Sequence, residues 1–245
     1  HNLEVAFDVV SEFEALLSIA SLYRNNPGWA IPVVVETEKY TIVSKELAHP
    51  LIRESERVAN DFTLRNDRKI ETITGSNMAG KSTFVRTAGI NAVLAFSGAP
   101  VCAQALEISV MQIVSYMRIK DSLNESTSTF KAELDRLQMV LAIAESGKRP
   151  YFLIDEMLRG TNSVDKYRGS KAVIERLVAG SAAGMVATHD LQLAKLQDEH
   201  PHTVRNYHFD IQVEGGEMHF DYKLKTGECT TFNASLLLKR IGIEV

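Results

Sequence analysis

Eleven residues, Ile73-Thr74-Gly75-Ser76-Asn77-Met78-Ala79-Gly80-Lys81-Ser82-Thr83, limit what this chain can fold into more than any other stretch. They follow the short alternating run Ile70-Glu71-Thr72-Ile73 and precede an apolar periodic segment, Phe84 to Phe96, so the local order is strand, glycine-rich turn, helix. Gly75, Gly80, Lys81 and Ser82 satisfy the spacing GxxxxGK[ST]. Glycines at those places let backbone N–H groups curl inward around an anion at a helix N-terminus, where the helix dipole favours negative charge. The chemistry expected is phosphate binding: loop amides on the oxygens, Lys81 on the β- and γ-phosphates of a nucleotide, and Ser82 on Mg²⁺.

A loop of this kind requires an acidic partner for the metal. Tyr151-Phe152-Leu153-Ile154-Asp155-Glu156 supplies four apolar strand residues ending in two carboxylates. Asp155 is expected to hold Mg²⁺ and Glu156 to orient or deprotonate an attacking water. Adjacent strand residues face opposite sides, so both serve one site only if the strand ends there and the chain turns. The second carboxylate favours hydrolysis over phosphotransfer, and no acceptor pocket for a kinase reaction is legible.

The same strand-then-helix order recurs at Tyr151 to Ile154 and at Gly184 to Thr188, which predicts an α/β sheet, mostly parallel at its centre. Upstream, Phe13, Leu16, Leu17 and Ala20 carry helical spacing within Val5 to Tyr23, and the run Asn25 to Trp29 breaks it; Ile31 to Val35 reads as a strand. Asn206 to Val213, the turn Gly215-Gly216, and Met218 to Leu224 read as an edge β-hairpin, and Asn233 to Arg240 as a closing helix.

Composition narrows the function classes. At 245 residues and 45% hydrophobic, the chain can bury a full core. A formal net charge of -4 disfavours a stand-alone DNA-binding module, which would carry a phosphate-neutralising face. Cys102 and Cys229 lie far apart without metal-ligand spacing and read as buried thiols in a reducing, cytoplasmic setting. No run of about eighteen apolar residues occurs, so no membrane contact is expected of this segment. The opening HNLEVAFDVV lacks an initiator Met and reads as part of a longer protein.

With both motifs in place, the chain resembles the C-terminal ATPase domain of the MutS family of DNA mismatch-repair proteins. The family's TGPNMGGKST-like loop stands here as Thr74 to Thr83, with Ser76, Asn77, Met78 and Ala79 between the glycines. Gln104, in VCAQ, matches the position that senses Mg²⁺ and the γ-phosphate. Ser126-Thr127-Ser128-Thr129-Phe130 resembles the STF segment, where Ser128 would meet the γ-phosphate of a partner subunit; by composition alone it is a helix N-cap. DEMLRGTNSVDK, Asp155 to Lys166, resembles DEIGRGTSTYDG but departs from it at Leu158, Asn162 and Lys166. His189, in VATHD, matches a switch histidine. ERVANDF, Glu56 to Phe62, resembles the adenine-binding FIAND segment; Arg57 stands at the aromatic position, so stacking falls to Arg57 or to Tyr222, with backbone near Val58 reading the base edge.

The resemblance implies a P-loop NTPase fold of ABC/MutS type, with residues 1–45 as the end of a helical lever and connector and 46–245 as the ATPase domain. It implies ATP and Mg²⁺ as ligands, a homodimer through the ATPase face, and DNA contacts through domains that mostly lie elsewhere. Asn77, Lys81, Glu156 and His189 would carry catalysis. Three alternatives stay open: a divergent MutS paralogue, another ABC/SMC-type ATPase, and a regulatory module that binds nucleotide without turnover. The chain has no LSGGQ-type signature, which disfavours a transporter subunit.

Overall fold

The computed structural model describes residues 2–65, 69–76, 78–117, 129–180, 182–214 and 217–229. Asn77, Ser126 to Ser128, the turn Gly215-Gly216 and the expected helix Asn233 to Arg240 lie outside the described residues. In chain order the elements are α1 (Asn2–Asn25), β1 (Val33–Val35), β2 (Thr41–Leu47), β3 (Asn60–Arg65), β4 (Ile70–Gly75), α2 (Lys81–Phe96), β5 (Ala105–Ser109) and β6 (Gln112–Tyr116). There follow α3 (Thr129–Ala144), β7 (Pro150–Asp155), α4 (Ser163–Ala179), β8 (Ala183–Ala187), a 3-10 turn (Leu191–Lys195), α5 (Leu196–Glu199), β9 (Val204–Phe209), β10 (Gln212–Glu214), β11 (Glu217–His219) and β12 (Leu224–Thr226).

The main sheet has the order β12-β9-β4-β8-β7-β6 and is parallel except for β12, which runs antiparallel to β9. Every residue of β4, β7 and β8 is buried, as expected of parallel strands covered on both faces. Alternate side chains divide between two cores. Tyr151 and Leu153 of β7, with Met185 of β8, pack toward α2 and a second sheet, while Phe152, Ile154 and Val186 pack with Leu137 and Val140 of α3 and Ile174 and Leu177 of α4. Because β4, β8 and β7 run parallel, their C-terminal ends lie at one edge, where the polar ends of the two motifs meet.

The second sheet, order β1-β5-β2-β3, is not anticipated by the sequence reading. β1 runs parallel to β5, whereas β2 is antiparallel to both its neighbours. β2 crosses residue 45, so a boundary at 45/46 would cut a paired strand. The segment between α1 and β1 is also tied to this sheet, the Ala30 N–H being bonded to Ala103 O. Trp29 already packs with Ala48 and Cys102.

One further expectation is extended and another changes. The run Asn206 to Val213 is more than one arm of an edge hairpin: it pairs antiparallel with Met218 to Leu224, as expected, with Phe209 opposite Leu224 and Val213 opposite Met218. Its first part belongs to β9, parallel to β4 over six residues, because Tyr207 and Phe209 are apolar enough to complete the core face. Its antiparallel pairing with the later strands comprises β10 with β11 and β9 with β12, three residue pairs each. Helix α1 exposes Phe13, Leu16 and Leu17, the positions that periodicity marks for burial. Neither cysteine is in a disulfide; Cys102 is buried and Cys229 partly so. Among the described residues, no helix is long and apolar enough to cross a membrane.

Candidate functional site

The glycine loop begins where β4 ends. Gly75 has φ 137°, and a Cβ there would lie 2.6 Å from Phe209 O, so only glycine fits between β4 and β9. Gly80, the residue before α2, has φ 110°, and the ring of Tyr222 lies over it. Lys81, the residue after Gly80, folds back along the loop: its Nζ donates to Gly75 O at 2.8 Å and to Ser76 O at 2.7 Å. Burial pushes the Lys81 ammonium below its ordinary pKa, while the Glu156 and Asp155 carboxylates act the other way. Ser76 Oγ is buried with no hydrogen-bond partner among the described residues.

Asp155 closes β7 directly beside α2. Ser82 Oγ donates to Asp155 Oδ1 at 2.6 Å, joining residues 73 positions apart. Arg86, one turn along α2, sits 3.9 Å from Asp155 Oδ2. A hydroxyl and a buried carboxylate in contact are the hard-oxygen set that suits Mg²⁺, so the residues present fit that ion.

The chain does turn after Asp155. Glu156 takes φ 57°, and its N–H donates to Ala187 O at 3.0 Å, so the strand ends and both carboxylates reach one cavity. Glu156 Oε1 meets His189 Nδ1 at 2.5 Å; Glu156 Oε2 lies 3.3 Å from Lys166 Nζ and 3.6 Å from Arg159 Nε. Burial by itself would raise the Glu156 carboxyl, but the His189 hydrogen bond with the Lys166 and Arg159 cations outweighs it and holds the group below the usual carboxylate range.

Two cavities flank the loop. One, of about 420 Å³, is lined by His49, Arg57, Val58, Met78, Gly80, Thr83 and Tyr222 among others. It contains both candidates for base stacking. Arg57 is held by Glu54 at 3.6 Å, and Tyr222 stacks on Phe220 at 5.9 Å between centroids. Asn60 steadies Tyr222, its Nδ2 donating to Tyr222 O at 3.0 Å. The second cavity, of about 660 Å³, is lined by Lys81, Ser82, Arg86, Asp155, Glu156, Lys166 and His189 among others. Lys81 and Ser82 belong to both, so the loop joins them.

Gln104 lines neither cavity. Its N–H is bonded to Lys45 O as β5 joins β2, and its side chain is exposed. Asn77 and Ser128 fall outside the described residues. Sequence reading missed Arg86, which its place one turn after Ser82 could have flagged. It also missed Lys166 as a member of the site, because ten positions and a turn separate that residue from Glu156.

A family model described as MutS domain V matches residues 71–236, more than half of the chain. The chain belongs to the MutS family. Among curated MutS-family relatives, it is 31% identical over 226 residues to the DNA mismatch repair protein MSH3 of Phaeosphaeria nodorum, covering 89% of this chain and 20% of that protein. It is 32% identical over 224 residues to the DNA mismatch repair protein MutS of Aquifex pyrophilus, covering 89% of this chain and 25% of that one. For MutS of Nitratidesulfovibrio vulgaris the figures are 30% over 246 residues, 97% and 26%. The chain thus spans about a quarter of the length of these MutS relatives or less.

Proposed function

We propose that this chain is the nucleotide-hydrolysing P-loop domain of a MutS-family DNA mismatch-repair protein, binding Mg·ATP at the joined cavities and coupling its turnover to DNA-clamping domains elsewhere in the protein. The observation that carries this reading is the contact between Ser82 Oγ and Asp155 Oδ1, which brings the glycine loop and the acidic strand end to one place beside the buried Lys81. Phosphates would lie along the loop residues 75 to 83, and the adenosine would enter the cavity between Arg57, Val58 and Tyr222.

Ser82 and Asp155 would hold Mg²⁺, which when bound neutralises charge on the β- and γ-phosphate oxygens. Lys81 would leave Gly75 O and Ser76 O for the phosphates, stronger acceptors for an ammonium. Glu156 orients the attacking water and takes its proton, and His189 reads the state of the terminal phosphate. Asn77 would help place that water, and Ser128 of the partner subunit would complete the site in a homodimer.

A binding-only regulatory module is the second reading, favoured by the ion pairs that engage Glu156 in this structure. ATP turnover per chain across a wide range of protein concentration separates the two, with Glu156→Gln as control. Turnover that rises with concentration and falls by about 10²-fold or more in the control is expected. Tight ATP binding with no turnover at any concentration would instead mean that hydrolysis requires DNA or domains outside this chain, or that the chain is the regulatory module.

A further inference from the structure

Lys166 is a second ammonium in the cavity that holds Lys81, Ser82 and Asp155, and its contacts are not those of a surface lysine. Its side chain is 13% exposed, and Nζ lies 3.3 Å from Glu156 Oε2 and 3.3 Å from His189 Nε2. An ammonium has donors only, so His189 Nε2 must accept. The ring proton then sits on Nδ1, where it is donated to Glu156 Oε1 at 2.5 Å. Lys166 therefore occupies one carboxylate oxygen of Glu156 and the free lone pair of His189 together, the two groups to which hydrolysis is assigned above. Arg159 also approaches Glu156 Oε2, at 3.6 Å, but is 34% exposed and has no contact with His189 recorded in the structure.

The base of this lysine is rigid and its arm is not. Lys166 lies in the first turn of α4, where its N–H donates to Asn162 O at 2.9 Å and Asn162 Oδ1 caps the helix through Asp165 N–H at 3.0 Å. The four-carbon stem beyond can swing a compact charge within the cavity. Its departure would strand no buried charge, because Glu156 keeps His189 Nδ1–H and Arg159. A terminal phosphate entering beside Lys81 and Ser82 would be a stronger acceptor than either resting partner.

We propose that Lys166 discriminates nucleoside triphosphate from diphosphate at this site: it clasps Glu156 and His189 in the resting state and transfers to the terminal phosphate, releasing both groups only when that phosphate is present. This inference rests on the nucleotide-site reading above. It gives the cavity a resting state in which the water-activating carboxylate is engaged, and ties its release to the phosphate that distinguishes the two nucleotides.

The test uses the 245-residue chain, Mg²⁺, and two probes: a non-hydrolysable ATP analogue and ADP. The parent should bind the triphosphate more tightly. In Lys166→Met that preference should shrink by about tenfold or more while ADP affinity stays within about twofold, and Lys166→Arg should restore part of it. In parallel, imidazole ¹⁵N NMR of the free parent should show His189 protonated on Nδ1, with its signal assigned by loss in His189→Gln. The triphosphate analogue should shift that signal as Lys166→Met does, and ADP should not. An unaltered preference in Lys166→Met, or a His189 signal that responds equally to both nucleotides, would overturn the role of Lys166 alone. A parent that binds neither nucleotide would overturn the nucleotide-site reading and this inference with it.

Discussion

Lys81 spends its donors on two carbonyls of its own loop, Gly75 O and Ser76 O, in a site where it is 3% exposed. A buried ammonium satisfied only by neutral acceptors is poised for an anion, so Lys81→Met should weaken binding of Mg·ATP by about 10- to 100-fold in calorimetric titration while leaving the fold intact. An unchanged affinity would remove the loop from the nucleotide site. Gly80 makes a sharper geometric prediction. Any side chain there meets both a left-handed backbone and Tyr222, 3.2 Å from the Cβ position. Gly80→Ala should lower stability to urea by about 1–3 kcal/mol and displace the tyrosine that roofs the loop. These residues were legible because the glycine, lysine and serine spacing follows from backbone requirements that hold on any fold. Lys166 was not: its partners come from the ends of two other strands, and no local pattern announces them.

The strands owe part of their order to one buried ion pair. Glu71, in the middle of β4 and fully buried, receives two bonds from Arg205 of β9, at 3.0 Å from Nε and 2.8 Å from Nη2. The same guanidinium donates to Thr63 O of β3 and lies over the Tyr207 ring, so it ties the main sheet to the second sheet. Arg205→Ala deprives a carboxylate in the dry core of its chief cation and should cost about 3–5 kcal/mol in denaturant unfolding. The double change Glu71→Met and Arg205→Met should cost less than that single one, since no charge is then left without its counterpart. An acidic residue inside Ile70-Glu71-Thr72-Ile73 looks like the polar half of an alternating strand. Only the pairing of β9 with β4, a contact across 134 positions, turns it into a core residue.

Across the whole molecule, burial holds several phenols neutral. Tyr116 is pushed up to about 12, chiefly by burial; burial also raises Tyr40 and takes Tyr151 well above the ordinary tyrosine value. A phenol whose folded pKa lies above its unfolded value binds more protons in the folded chain once pH exceeds that unfolded value, near 10. The stabilising contribution is therefore complete below about pH 10 and is lost as pH climbs toward 12 for Tyr116. Stability to urea should fall steeply over that window, and tyrosinate absorbance should develop for these side chains only together with unfolding. A smooth titration of every tyrosine with the fold retained would contradict their burial. What the sequence alone determined was local: a loop whose glycines and lysine suit a phosphate, a strand ending in two acids, and the parallel order implied by alternating strands and helices. Each follows from steric and hydrogen-bonding demands spanning about ten residues. The tertiary structure decided the second sheet, the placement of β9 beside β4 as well as against β12, and the entry of Lys166, because each depends on which distant strand ends share an edge, and strand pairing is set by packing across the whole core.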